Sequence, residues 1–140
     1  MIRSPLQTLL RLRRQEQEEA ERGLAAAIAR ERDASEAVRH AERYFLEQEN
    51  FVSSPECDDL AVEAFVRWIP RGRAAIEAAR TEEERAGLDR AVAQTAMVSA
   101  RAACKAVEML DARRQEEARL EAQRREQNEN DDLANRPPPF

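Results

Sequence analysis

Apolar and small side chains recur at alternating steps of three and four residues over the first fifty positions, and this spacing constrains the fold most. The stretch from Leu6 to about residue 50 holds no proline and only one glycine, Gly23. Such steps place side chains on one face of a helix, as in a coiled-coil seam. The seam residues are Leu6, Leu10, Ala20, Leu24, Ala27, Ile28, Ala34, Val38, Ala41 and Phe45. Ser4 as N-cap and Pro5 as the first helical residue predict a helix over about 5–50.

Two further helices are predicted beyond residue 50. Pro55 ends the first helix because a residue that precedes proline is biased away from helical angles. A short helix is expected over about 58–70, where Pro70 interrupts it. A third helix is expected over about 82–126, beginning at a capping box at Thr81. Its predicted seam consists of Leu88, Ala91, Val92, Thr95, Val98, Ala102, Ala106, Met109, Leu110 and Leu120.

These elements predict an all-α fold, a long antiparallel two-helix coiled-coil hairpin with a short helix at the tip. Residues 1–126 would form a single hairpin domain, and 127–140 a frayed or disordered tail. A turn of about thirty residues makes the numbers of facing residues sum to about 130. Leu10 would then face Leu120, with Leu24 near Ala106 and Val38 near Val92.

Composition and charge exclude several classes of function. A net charge of −5 disfavours nucleic-acid binding, which usually needs a basic face. No apolar run approaches the ~18 residues that a membrane span requires. The first residues lack the pattern of a secretory signal, so a cytoplasmic location is expected. Cys57 and Cys104 lie far apart and predict free thiols, whose role stays open.

No set of residues predicts catalysis or a cofactor. His40 is the only histidine and lies in a charged helical stretch, which indicates a solvent-exposed side chain. A metal site would need further ligands, and the three glycines are too isolated for a phosphate-binding loop. The sequence therefore predicts a protein that is not an enzyme and binds no cofactor or metal.

Two patches are candidate interaction surfaces. Dense arginine at the start of the first helix and in the last predicted helix could dock an acidic protein surface, or could simply keep exposed helices solvated. The arginines in question are Arg3, Arg11, Arg13 and Arg14, and Arg113, Arg114, Arg119, Arg124 and Arg125. An apolar patch at Phe65, Val66, Trp68 and Ile69 could bind a partner or pack the short helix onto the hairpin.

Three stretches of the chain resemble known export proteins. The opening Met1-Ile2-Arg3, followed by Leu9-Leu10 and Leu12-Arg13, resembles the secretion-stalk proteins of type III injectisomes, the YscO family. The closing stretch from Arg113 to Glu117 and from Glu126 to Arg136 is similar to the end of flagellar FliJ. The middle stretch Ala64–Ile69 is similar to the aromatic and aliphatic helix of these families.

The resemblance implies a non-enzymatic central stalk of a bacterial type III secretion apparatus, acting at its cytoplasmic face. The end with both termini would enter the hexameric export ATPase, with Arg3, Arg11, Arg13 and Arg14 as contacts. The middle would reach the cytoplasmic domain of the export gate, through Phe65, Trp68 and Ile69. Secretion chaperones are further implied partners.

Several alternatives stay open. The same seams could pair two chains in a generic cytoplasmic coiled-coil adaptor or homodimeric scaffold. The intramolecular hairpin instead predicts a monomer. The resemblance does not separate flagellar from injectisome use.

Overall fold

Two long antiparallel helices joined by a short connection form the chain. The structure, a computed structural model, describes residues 4–139. Helix α1 comprises Pro5–Val52 and helix α2 comprises Asp59–Ala134. The predicted hairpin of two long helices is confirmed. The predicted separate tip helix is wrong, because α2 passes through Pro70 without a break.

Side-chain caps define the helix starts. The Ser4 hydroxyl accepts a hydrogen bond from the backbone N–H of Gln7 at 3.2 Å, as the predicted N-cap should. Asp58 does the same at the start of α2, where its Oδ1 accepts from the N–H of Ala61 at 2.8 Å. Thr81 caps nothing, since it lies inside α2 and its hydroxyl donates to the carbonyl of Glu77. The capping box predicted there is therefore wrong.

The chain divides into two compact units, each containing part of both helices. Unit 1 consists of Met1–Glu18 and Ser99–Phe140, and unit 2 of Glu19–Val98. The units are described separately below. Whether the chain behaves as the single domain predicted over 1–126 stays a prediction.

Unit 1 has a small apolar core where α1 begins. Leu6 and Leu10 of α1 are buried against Cys104 and Val107 of α2, and Leu9 packs against this cluster. Beyond Asp111, every described residue of α2 is exposed. The last part of α2 therefore has no packing partner among the described residues.

Helix α2 ends later than the sequence predicted. It ends at Ala134, whereas the prediction placed the end at about 126. Ion pairs one turn apart, such as Arg125 with Glu121 at 2.9 Å, favour the exposed helix. Residues 137–139, all proline, are not helical. Fraying of this end in solution stays a prediction.

Unit 2 buries mainly small side chains between its helices. Ala27, Ala34 and Val38 of α1 and Ala86 of α2 are buried. Cross-helix ion pairs flank this seam: Arg90 with Glu31, and Arg80 with Glu42 at 3.0 Å. Small seam residues allow helices to approach closely but bury little apolar area, so each contributes modestly to stability.

The predicted seam of α1 is confirmed with one exception. All its members are buried or mostly shielded from solvent except Ile28, whose exposed fraction is 50%. The predicted seam of α2 is wrong, because all its members are exposed, Val92 by 70%. The seam that faces α1 instead follows the same spacing on another stripe of α2. Its members are Ile76, Ala79, Glu83, Ala86, Arg90, Ala93, Met97, Ala100, Cys104 and Val107.

The predicted register is wrong by about ten residues. Leu10 lies with Cys104 and Val107, not with Leu120, which is exposed. Val38 is buried while Val92 is exposed, and Ala106 is exposed too, so these predicted pairings also fail. The connection 53–58 is much shorter than the turn of about thirty residues that was predicted, and facing numbers sum to about 120.

The candidate interaction surfaces

The predicted arginine contacts on α1 differ in availability. Arg13 Nη1 donates to Glu16 Oε2 at 2.9 Å, one turn along the same helix. Arg14 is exposed, and its Nε lies 3.8 Å from Glu108 Oε1 on α2. Arg11 is exposed and has no ion-pair partner within residues 4–139. Arg3 lies outside the described residues. Arg11 is thus the predicted contact most available to a partner.

More arginines lie on the exposed end of α2. Arg119 pairs with Glu116 at 2.6 Å, and Arg125 pairs with Glu121. Arg113, Arg114 and Arg124 are exposed and have no ion-pair partner in the described part of the chain. The observed register places Arg14 against Glu108, so the arginines of α1 do not lie opposite Arg113, Arg114 or Arg124. Most of the unpaired arginines of unit 1 therefore lie on α2, and Arg11 lies on α1.

The Arg119–Glu116 pair shifts both titrations. The hydrogen bond from Arg119 lowers the pKa of the Glu116 carboxyl, and the same bond raises the pKa of Arg119. Both side chains are more than half exposed, so solvent screens the pair and its effect on stability is small. Pairs at this spacing give an exposed helix modest support.

Cys104 is a buried thiol within the core of unit 1. It is 2% exposed, and its Sγ donates a hydrogen bond to Glu108 Oε1 at 3.6 Å. Burial, followed by the Glu108 charge, raises the pKa of the Cys104 thiol, and Arg14 opposes that shift. Cys57 is half-buried, and both cysteines are free, as predicted.

The apolar patch predicted near the tip is part of an aromatic cluster between the helices. The ring centroids of Phe45 and Trp68 lie 5.4 Å apart, and those of Phe65 and Trp68 lie 5.9 Å apart. Tyr44 approaches Trp68 edge-on at 5.6 Å. Phe65 and Trp68 therefore pack the hairpin, the alternative left open by the sequence. Ile69 is half-buried beside them.

Gly72 makes room for this cluster. A Cβ on Gly72 would lie 2.6 Å from Cη2 of Trp68 and 2.8 Å from Cδ2 of Phe45. Any side chain there would displace one of the rings. Glycine is unfavourable inside a helix, but the aromatic packing requires it at this position.

An open apolar groove lies next to the aromatic cluster in unit 2. We call it the tip groove; its volume is about 290 Å³. It is lined by Gln48, Phe51, Val52, Ala61, Ala64, Phe65 and Trp68. The sequence predicted Phe65 and Trp68 as contacts, but not Phe51 or Ala64. The helical spacing of Ala61, Ala64, Phe65 and Trp68 was the available signal for Ala64, and no such signal marked Phe51.

The stretch of chain that lines the tip groove also carries exposed apolar and acidic side chains. Phe51, Leu60 and Val66 are all more than half exposed, Leu60 by 74%. The segment 47–67 carries six carboxylates and one arginine, Arg67. The carboxylates are Glu47, Glu49, Glu56, Asp58, Asp59 and Glu63, and no ion pair involves them within the described chain. The tip is therefore both apolar and strongly negative.

Within residues 4–139, no group of three or more histidine, cysteine or acidic residues is arranged to hold a metal ion. Neither helix as described is long and apolar enough to cross a membrane. The two candidate surfaces described above are the arginine-rich end of α2 with Arg11, and the tip groove.

Comparison with known proteins agrees with the resemblance in the sequence. The model of the family described as flagellar FliJ protein matches residues 2–137. Neither the search of curated proteins nor the search of solved structures found a match. The family match spans both helices and the connection, and it associates the chain with flagellar and type III protein export. The chain belongs to the FliJ family.

Proposed function

We propose that this protein is the non-enzymatic central stalk of a bacterial type III export apparatus. One end, with Arg11 and the arginines of α2, would seat in the hexameric export ATPase. The tip would contact the cytoplasmic domain of the export gate. This assignment also implies a cytoplasmic location, at the cytoplasmic face of the apparatus. Whether the system is flagellar or an injectisome is left open.

The observation that carries the proposal is a hairpin whose α2 continues as an unpacked helix with unpaired arginines. Arg113, Arg114 and Arg124 are exposed and lack ion-pair partners within residues 4–139. Solvated charges make contacts that break and re-form readily, because each exposed pair is weak. A stalk is coupled to a ring that changes state only if it binds the states of the ring unequally. Contacts that break and re-form allow this unequal binding.

Binding to the export ATPase tests this proposal. We expect Arg11→Glu combined with Arg113→Glu and Arg114→Glu to weaken ATPase binding by at least about tenfold, because like charges then face the ring. Arg39→Glu with Arg43→Glu is the control, because these exposed arginines lie in unit 2. Binding and ATPase stimulation that survive the first variant would contradict the arginine assignment.

The predicted contacts Arg13 and Arg14 need their own arm of the experiment. Arg13 and Arg14 already have carboxylate partners in Glu16 and Glu108. Arg13→Glu with Arg14→Glu should therefore weaken ATPase binding less than the triple variant that contains Arg11→Glu. An equal or larger effect would show that the ion pairs open in the complex.

A homodimeric or adaptor role is the second candidate, and one observation favours it. Leu88, Val92 and Val98 form an exposed apolar stripe on α2 within unit 2. Light scattering coupled to gel filtration separates the two candidates. The stalk proposal expects a monomer of 16.0 kDa, and a stable dimer that Val92→Glu dissociates would favour the alternative.

Secretion chaperones are the third partner that we propose, and pull-downs with candidate chaperones of the same system test it.

A further inference from the structure

We infer that the tip groove is a docking site for a basic protein segment that inserts one large apolar side chain. The inference deepens the tip part of the proposed function, on which it rests only in taking the tip as the end that meets a second protein. It names the chemistry of that partner: an apolar anchor with Lys or Arg on both sides.

The groove is preformed. The Phe45, Phe65 and Trp68 rings hold each other at centroid distances of 5.4–6.1 Å. Gly72 lets the Phe45 and Trp68 rings lie directly against its backbone. Because Phe65 and Trp68 are both members of this cluster and lining residues of the groove, the wall of the groove is fixed by packing. A fixed wall reduces the ordering cost of binding.

The size and lining favour one side chain as the occupant. The volume of about 290 Å³ lies at the lower limit of ordinary ligand pockets, which run from about 300 Å³ upward. Its lining is apolar apart from Gln48. Interface energy concentrates where a large side chain fills such a pocket and is surrounded by weaker contacts. Phe51, one of the lining residues, is 60% exposed and so carries the apolar surface of the groove outward into solvent.

Charge selects the class of partner. Six carboxylates and one arginine in 47–67 give this segment a net charge of −5. None of the six has an ion-pair partner in residues 4–139, so a cationic partner would be the first to neutralise them. Complementary charge raises the rate of encounter and rejects partners of the wrong sign. An acidic segment with the same anchor would be repelled.

Trp68 provides a direct readout, because it is the only tryptophan and lines the groove. The probes are synthetic twelve-residue peptides with a central phenylalanine flanked by lysine and arginine. One comparison peptide replaces the flanks by glutamate, and another replaces the phenylalanine by serine. Titration of the full chain should shift Trp68 emission with the basic peptide, and affinity should fall by about tenfold or more with either comparison peptide.

Two variants block the site in different ways. Ala64→Phe fills the groove from an exposed position and should abolish binding. The triple variant Glu56→Gln, Asp59→Asn, Glu63→Gln should weaken it and remove most of its salt dependence. Asp58 is left intact because it caps α2. The matched controls are Ala78→Phe and Glu77→Gln, Glu84→Gln, Asp89→Asn, all exposed positions of α2 in unit 2.

Phe51→Ser is a further variant that removes apolar surface without touching the cluster, in case Ala64→Phe perturbs the fold. Selective binding of the basic peptide that all three tip variants weaken and both controls retain supports the inference. No binding at millimolar peptide, equal binding of the acidic peptide, or loss in the control variants would each overturn it. The titration contains no export component, so failure of ATPase or gate binding would count against the proposed function alone.

Discussion

Gly72 and Gly23 illustrate at the residue scale how the same residue type can have opposite roles. Both lie inside helices, where glycine costs about 1 kcal/mol relative to alanine. An added Cβ meets nothing within 4 Å at Gly23, but at Gly72 it would meet Trp68 and Phe45 closer than 3.0 Å. The effect of an added Cβ on stability therefore depends on helical propensity alone at Gly23, and on aromatic packing at Gly72.

We expect Gly72→Ala to lower the free energy of unfolding by about 1–2 kcal/mol, because overpacking costs more than the helical propensity gained. Gly23→Ala, the matched control, should raise it by about 0.5–1 kcal/mol. Urea denaturation followed by circular dichroism measures both. A stabilising Gly72→Ala would mean that the rings do not pack against that backbone.

Cys104 makes a second prediction at this scale. Its thiol is buried and its pKa is raised, so a thiol reagent should modify it roughly tenfold or more slowly than Cys57 in the native protein. In urea the two rates should become similar. Mass spectrometry of the labelled peptides gives each rate, and fast native labelling of Cys104 would contradict the core of unit 1.

The same shift has a pH consequence. Because the pKa of the Cys104 thiol is higher in the folded chain, the unfolded chain loses this proton first as pH rises. The contribution to stability is complete below the pKa of the unfolded thiol, about 8.5, and is lost above it. Cys104→Ala should flatten the decline in stability above that pH.

At the scale of elements, the seam of α1 was predictable from sequence and the seam of α2 was not. The seam of α1 contains its large residues Leu6, Leu10, Val38 and Phe45, so one stripe stands out. Helix α2 carries two stripes with heptad spacing. The larger residues Leu88 and Val92 lie on the exposed stripe, while alanine is the commonest residue of the stripe that faces α1. Residue size therefore pointed to the wrong face.

Charge matching accounts for the choice of the alanine stripe. Glu31 and Arg90 are charged seam residues of opposite sign, and they pair across the helices in unit 2. Pairing through the Leu88 and Val92 stripe would leave Glu31 in the interface without this partner. An unpaired charge in an interface costs more than a few exposed apolar side chains.

The ion pair therefore helps to specify the face of α2. We expect Glu31→Arg to destabilise the chain by about 1–2 kcal/mol through like-charge contact with Arg90. The swap Glu31→Arg with Arg90→Glu should recover most of the loss in a urea titration. Glu42→Arg and Arg80→Glu provide the parallel test on an exposed pair. If the double variant is no more stable than the single variants, charge matching does not specify the face of α2.

At the scale of the whole molecule, the antiparallel two-helix hairpin follows from helix length, and its register follows from the connection. The sequence predicted a helix end at Pro70, because a proline inside a helix costs about 3 kcal/mol or more. The aromatic contacts of Phe65 and Trp68 on one side of Pro70, and the close packing at Gly72 on the other, support a continuous helix. Tertiary packing of this kind is not visible in local propensity.

The candidate surfaces were predictable to a similar extent. Arginine density and the aromatic patch were visible as sequence clusters. Which arginines are already paired, and which apolar side chains line a groove, depends on the register between helices. Arg14 opposite Glu108 and Phe51 beside Ala64 could be found only once that register was known.

The hairpin has facing residue numbers that sum to about 120. Cross-linking within one chain that carries Cys57→Ser and Cys104→Ala tests this register. Arg14→Cys with Glu108→Cys should cross-link efficiently through a short bismaleimide, because the native side chains lie 3.8 Å apart. Arg14→Cys with Glu116→Cys, about 12 Å further along α2, should not. Efficient linking of the second pair instead of the first would contradict this register. Linking only between chains would contradict the intramolecular hairpin.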